Sequence, residues 1–136
     1  VKENGGLIHL IKLIRSLPEC GAGNQPAKIL VVAPPPIKMA KGRPEVSEKY
    51  GCEAGVILSH EFASAYKDAA KAYHCGYLDA GLYAEAGDAD GVHFTMESHP
   101  RLGKAIAEAI LAMDANNDGN TDEKHTVDKL KADIEM

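Results

Sequence analysis

A β-branched apolar run that stops at three consecutive prolines constrains the fold more than any other segment. The run spans Lys28–Ala33 and is followed directly by Pro34-Pro35-Pro36. A continuous apolar pattern, rather than an alternating one, is typical of a parallel strand that is buried on both faces. Proline has no backbone N–H to donate to a ladder, so the strand should end at Ala33. The sequence therefore predicts an α/β fold.

Helical and strand patterns surround this run. Apolar residues at helical spacing predict helices over Leu7–Leu17, Val56–Tyr73 and Pro100–Met113. A short second strand is expected at Cys75–Asp79, and Ile37–Ala54 is expected to be a long irregular loop. Strand, loop, helix and second strand together make one right-handed βαβ crossover.

Two strands are too few for an independent parallel sheet, which normally needs at least about three strands and covered edges. The chain is therefore expected to be part of a larger sheet. Either a missing N-terminal half or another subunit would complete it. The wide apolar stripe of Leu7–Leu17 and the open edge of the first strand predict a homo-oligomer when that half is absent.

Composition excludes several classes of protein. The 136-residue chain has a net charge of −5 and a pI near 5.6, so bulk electrostatics disfavour a nucleic-acid partner. No apolar run approaches the roughly 20 residues that span a bilayer, and no membrane partner is predicted. The cysteines Cys20, Cys52 and Cys75 lie far apart, without zinc-binding spacing. They are expected to be free, mostly buried thiols in the reducing cytoplasm.

The motif with the clearest chemistry is Asp90-Gly91-Val92-His93-Phe94. An aspartate three residues before a histidine can turn back to accept the imidazole Nδ1 proton. That bond fixes the tautomer and leaves Nε2 as a general base for a hydroxyl nucleophile. Gly91 gives the backbone the freedom that such a turn requires. Taken by itself, the spacing is also compatible with a solvated turn.

Three strings, in order along the chain, resemble the SGNH (GDSL-type) esterase family, which includes bacterial arylesterases and acylhydrolases. Ile29–Ile37 looks like the family's fourth-strand segment, and Gly76–Ala80 resembles its last core strand. Asp90–Phe94, with the helix that begins near Glu97, resembles its final block. The resemblance implies an incomplete flavodoxin-like three-layer unit with a short parallel sheet of about two strands, one βαβ crossover and flanking helices. It assigns residues 1–113 to the C-terminal half of the domain.

The resemblance also implies residue roles. Asp90 matches the family's triad aspartate, and His93 matches its general base. The family's nucleophilic serine lies in a Gly-Asp-Ser block and one oxyanion donor in a Gly-x-Asn-Asp block, and neither block is present. Gly21–Asn24 resembles the second block only superficially, because it follows the Leu7–Leu17 helix that the block precedes in the family. The chain is therefore expected to begin just downstream of that block.

Two functions remain open. The first is a truncated or remnant carboxylic-ester hydrolase that is inactive alone and acts on an ester only when completed. The second is a stand-alone, non-catalytic module that reuses the half-fold for oligomerisation or binding. Ser59, His60 and Glu61 offer no replacement nucleophile, because neighbours on a predicted helix point in different directions. An in-frame Gly-Asp-Ser block upstream of Val1 would decide for the enzyme. Neither function requires a cofactor.

A polar segment after the last helix has part of the spacing of an EF-hand calcium loop. Asp114, Asn116 and Asp118 fall at the first, third and fifth positions. The twelfth position, where a bidentate glutamate is needed, is His125. A polar turn is therefore the favoured interpretation, and no metal is predicted. Residues 114–136 are expected to form a polar loop and a C-terminal helix without an assigned role.

Overall fold

The computed structural model describes residues 5–115. Five α-helices flank a two-stranded sheet in this part of the chain. The helices are α1 (Gly5–Arg15), α2 (Pro44–Lys49), α3 (Cys52–Ser59), α4 (Phe62–Ala72) and α5 (Ser98–Ala115), the strands are β1 (Leu30–Ala33) and β2 (Gly76–Asp79), and short 3-10 turns lie at Ala22–Asn24 and Ala80–Leu82.

The two strands pair in parallel, as the sequence predicts. Leu30 lies opposite Gly76, and Ala33 lies opposite Asp79. Helices α2, α3 and α4 form the crossover between the strands. Because the strands run in the same direction, their carboxyl ends meet at one edge of the sheet. The loops that leave this edge are the places where open parallel sheets carry their functional groups. The α/β architecture is thereby confirmed.

The core forms where α1 and α4 pack against the strands. Ile11, Val31 and Ala70 are its fully buried members, and burying a side chain the size of Ile or Val contributes roughly 1.5–3 kcal/mol. Alanines at the buried positions of α4 let that helix approach both strands closely. Among residues 5–115, no helix has the length and apolarity to cross a bilayer.

The segment predicted as one helix, Val56–Tyr73, is two helices, so the prediction of a continuous helix is wrong. Ser59 explains the break between α3 and α4. Its buried hydroxyl donates to the carbonyl of Val56 at 2.7 Å and accepts the N–H of Ile37 at 3.0 Å. The next two N–H groups bond to carbonyls three residues back, at 3.2 and 3.0 Å, which tightens and ends the helix.

The stretch predicted to be irregular, Ile37–Ala54, also contains a helix. Pro44 begins α2, where its fixed φ suits a first helical position and its missing N–H costs no hydrogen bond. Gly51, in the left-handed region at φ 84°, separates α2 from α3. The last helix begins at Ser98 rather than at Pro100, because the N–H groups of a first turn have no helical partner to lose.

Candidate active site

The loop that follows β2 carries the predicted pair and leaves the carboxyl edge of the sheet. An isolated antiparallel bridge between Ala86 and Phe94 closes the loop at its base. Below the bridge, the buried hydroxyl of Ser98 on α5 accepts the N–H of Glu85 at 3.0 Å. The loop is therefore closed at its base and fixed there to the last helix, and the pair lies toward its tip.

Asp90 and His93 are in direct contact, as the sequence motif predicts. The Nδ1 atom of His93 shares a short hydrogen bond with Oδ2 of Asp90. The other carboxylate oxygen, Oδ1, accepts the backbone N–H groups of Val92 and His93, each at 2.9 Å. The Asp90 side chain is 17% exposed, whereas that of His93 is 88% exposed. Since Nδ1 is engaged, Nε2 is the ring nitrogen that faces solvent.

These hydrogen bonds lower the pKa of Asp90. The N–H of Val92 has the largest effect, followed by the side chain and the N–H of His93, and together they take the pKa from 3.8 to about 2. All three favour the charged form of the carboxylate. Asp90 is therefore ionised at neutral pH and able to balance a positive charge on the imidazole ring.

The lowered pKa predicts a pH dependence for the loop. The Asp90 pKa is lower in the folded than in the unfolded chain, so its contribution to stability is complete above about pH 4 and declines as the pH falls toward 2. We expect the Asp90 carboxyl carbon to titrate by NMR with a midpoint near 2. A midpoint near 3.8 would show that the carboxylate is solvated and that the loop does not hold it.

A second loop supports the first. The N–H of Lys38 donates to the carbonyl of Gly91 at 2.8 Å, and the N–H of Gly42 donates to that of Ala89 at 3.3 Å. Gly91 has φ 72°, and a Cβ atom there would lie 1.9 Å from the Lys38 carbonyl oxygen. Only glycine fits both the backbone conformation and the close approach.

A groove of about 370 Å³ lies beside the paired loops. Pro36, Ile37 and Met39 contribute to its apolar wall. Lys38 and Glu85 also line it, and they form an ion pair at 3.2 Å. The groove could not be predicted from the sequence, because its walls come from three separate segments. The triple proline was the one indication of the groove in the sequence, since it marks an apolar segment that leaves the carboxyl edge of the sheet.

No protein-family model and no curated protein matches the sequence. Solved structures do match it. A carbohydrate acetylesterase family member from Sinorhizobium meliloti has a TM-score of 0.71 and 27% identity, over 79% of this chain and 49% of its own. The native aryl esterase of M. smegmatis has a TM-score of 0.68 and 28% identity, again over 79% of this chain and 49% of its own. The chain has the fold of one half of an SGNH-type esterase. It spans about half the length of the structures it matches.

No replacement nucleophile is expected from the sequence, and the Ser59 hydroxyl makes its hydrogen bonds away from the pair, to Ile37 and Val56. Ser59 is 1% exposed, and its hydroxyl already serves once as a donor and once as an acceptor. The cysteines are unpaired, but Cys20 and Cys52 are exposed and Cys75 is half-buried. The prediction of mostly buried thiols is therefore wrong. All three lie in loops or at the ends of elements, and only Cys75 packs against the core.

The calcium-loop candidate is only partly within the described residues. Asp114 lies in the last turn of α5, and its carboxylate accepts a hydrogen bond from Lys28 at 2.9 Å. Asn116 and Asp118 lie outside the described residues. Between residues 5 and 115, no group of three or more His, Cys, Asp or Glu side chains is placed to hold a metal.

We expect calcium binding by this segment to be weak. The Asp114 carboxylate already has a cationic partner, and the sequence lacks the glutamate of the twelfth position. Calorimetry should detect no sub-micromolar calcium site. Tight binding that disappears in Asp114→Ala would contradict this expectation.

Proposed function

We propose that the chain supplies the acid–base half of the Ser-His-Asp triad of a carboxylic-ester hydrolase. The observation that carries the proposal is the contact between Asp90 and Nδ1 of His93, which leaves Nε2 open to solvent. This arrangement fixes the tautomer in which Nε2 has the free lone pair. A serine hydroxyl placed against Nε2 would complete the triad.

The chemistry follows from the two side chains. Nε2 removes the serine proton as the serine oxygen attacks the ester carbonyl carbon. The imidazolium then returns that proton to the departing alkoxide, and Asp90 stabilises the charged ring throughout. A water molecule repeats the sequence and releases the acid. Because Asp90 stays ionised far below neutral pH, its support of the ring is present wherever the pair would operate.

The serine and the oxyanion-hole donors must come from elsewhere. The 136 residues contain no Gly-Asp-Ser block and no Gly-x-Asn-Asp block. The matched esterases are about twice as long as the shared region, which supports a second half that carries both. We propose that residues 1–113 form the C-terminal half of such a domain.

The surfaces left open support a position for that second half. Within residues 5–115, β1 pairs on one side only, with β2. Leu10 and Leu13 of α1 are exposed, as is Leu17 just beyond that helix. An unpaired strand edge and an apolar helix face are the surfaces that a neighbouring strand and its helix cover. We propose that the second half adds its strand to the free edge of β1.

Without the second half, the same surfaces should cause self-association. We expect the chain to form a homodimer or a larger homo-oligomer in light scattering at micromolar concentration. The double variant Leu10→Lys/Leu13→Lys should shift it toward the monomer, because two charges replace apolar contacts. Leu82→Lys is the matched control, since Leu82 is exposed in the turn after β2. A monodisperse wild-type monomer would contradict the prediction.

A second candidate function is a non-catalytic module that uses the half-fold for oligomerisation or binding. The exposed leucines near α1 and the free edge of β1 favour it as much as they favour a missing half. The coding sequence upstream of Val1 separates the two. With an in-frame Gly-Asp-Ser block, the longer protein should hydrolyse p-nitrophenyl acetate and be blocked by an organophosphonate. With neither that block nor such activity, the binding module is the better account.

A further inference from the structure

Two buried serines are connected to the loop that carries Asp90 through one intervening segment of the chain. Ser47 on α2 is 8% exposed, and its Oγ accepts the N–H of Ala40 at 2.7 Å. Ser59 on α3 is 1% exposed, and its Oγ accepts the N–H of Ile37 at 3.0 Å. Both acceptors therefore hold the same short segment, which runs from Ile37 to Gly42 between the helices and the Asp90 loop.

The backbone N–H groups of this segment divide between two sides. Those of residues 37 and 40 point to the serines on the helices. Those of residues 38, 41 and 42 donate to the carbonyls of Gly91, Asp88 and Ala89, at 2.8, 3.0 and 3.3 Å. Asp90 lies between two of these acceptors in the chain. The position of its carboxylate is therefore set by a segment that the serines hold in place.

We propose that Ser47 and Ser59 are positioning residues for the Asp90–His93 pair and act through the backbone of residues 37–42. Neither hydroxyl is required for solubility, since both are buried. A buried hydroxyl is retained at low cost only when its hydrogen bonds are made, and here each bond fixes one residue of the supporting segment. The inference rests on the proposed function for the chemical role of the pair.

The contacts explain why alanine would not serve at these positions. In Ser47→Ala the part-buried N–H of Ala40 loses its acceptor, and the segment must move to find another. A shift there changes the three hydrogen bonds to the Asp90 loop. The N–H groups of Val92 and His93 would then align less well with the Asp90 carboxylate, which weakens the contact that fixes the imidazole.

The test uses NMR on the folded chain and needs no catalytic activity. Two-bond ¹H–¹⁵N correlations from the His93 ring, recorded at pH 9, show which nitrogen carries the proton. The Asp90 carboxyl carbon reports its pKa. In Ser47→Ala and Ser59→Ala we expect the Asp90 pKa to rise from about 2 toward 3.8. The His93 ring should lose its single tautomer and show both forms.

The matched control is Ser64→Ala, because Ser64 is exposed on α4 and removing its hydroxyl frees no buried N–H. Ser64→Ala should keep the wild-type pKa of Asp90 and the single wild-type tautomer of the His93 ring. If an alanine variant fails to fold by circular dichroism, Ser47→Cys or Ser59→Cys replaces it, since a thiol leaves no cavity and is a weaker acceptor than a hydroxyl. Folded serine variants with the wild-type pKa and tautomer would overturn the inference and leave the proposed function intact. An active, completed enzyme that tolerates loss of His93 would instead overturn the proposed function.

Discussion

Replacing His93 by asparagine should lower the turnover of the completed enzyme by about 10²–10⁴-fold, the usual contribution of a positioned general base. By the completed enzyme we mean the one proposed above, in which this chain is joined by a half that carries a Gly-Asp-Ser block. Asparagine can still bond to Asp90, but it cannot take the serine proton. Initial rates on p-nitrophenyl acetate measure the effect, and kcat should fall more than KM changes, because the base acts in the transition state.

The matched control for this result is His74→Asn. His74 is exposed and precedes β2, at the end of the sheet opposite the pair, and asparagine tolerates its φ of 54°. The turnover of the His74→Asn enzyme should equal that of the wild type. The isolated 136-residue chain should hydrolyse the ester no faster than its own His93→Asn variant, since a base without a nucleophile retains little effect. Organophosphonate-sensitive turnover by the isolated chain would contradict the proposed role.

Gly91→Ala should destabilise the chain by about 1–3 kcal/mol, the usual cost of a strained backbone position. The added Cβ would lie 1.9 Å from the carbonyl oxygen of Lys38, and the φ of 72° disfavours any side chain. The two loops must separate to relieve the contact, which breaks the bond from the Lys38 N–H. We expect the Asp90 pKa to rise at the same time, because the loop that lowers it is displaced.

Gly103→Ala is the matched control for this glycine. Gly103 lies inside α5, and a Cβ there meets nothing within 4 Å. Alanine should stabilise the helix by roughly 0.5–1 kcal/mol, because it loses less backbone entropy on folding. Urea unfolding followed by circular dichroism measures both variants. If Gly91→Ala were as stable as the wild type, the close approach of the two loops would be wrong.

Features with a local physical cause could be predicted from the sequence. The apolar run at Lys28–Ala33 and the prolines after it define β1, because neither depends on distant residues. The Asp90–His93 contact could be predicted because the two residues are three positions apart and Gly91 permits the turn between them. The resemblance to SGNH-type esterases rests on these same segments, and the matched structures confirm it.

Features that depend on long-range contacts were missed or placed wrongly. The break between α3 and α4 follows from a hydrogen bond between Ser59 and Ile37, 22 residues apart, which helical periodicity cannot show. The helix at Pro44–Lys49 was missed for a different reason, because its six residues are too few to show a helical period. The groove escaped detection because its walls come from segments that meet only after folding.

The sequence by itself determined which residues form the strands and which two side chains can share a proton. The tertiary structure alone decided where that pair points and what holds it. Helix α2, through Ser47, fixes the segment after β1, and that segment fixes the loop after β2 through backbone hydrogen bonds. Apart from proline, every residue carries the same backbone N–H donor and carbonyl acceptor, so their pairing leaves no pattern in the sequence. Only the folded chain brings these groups within hydrogen-bonding distance.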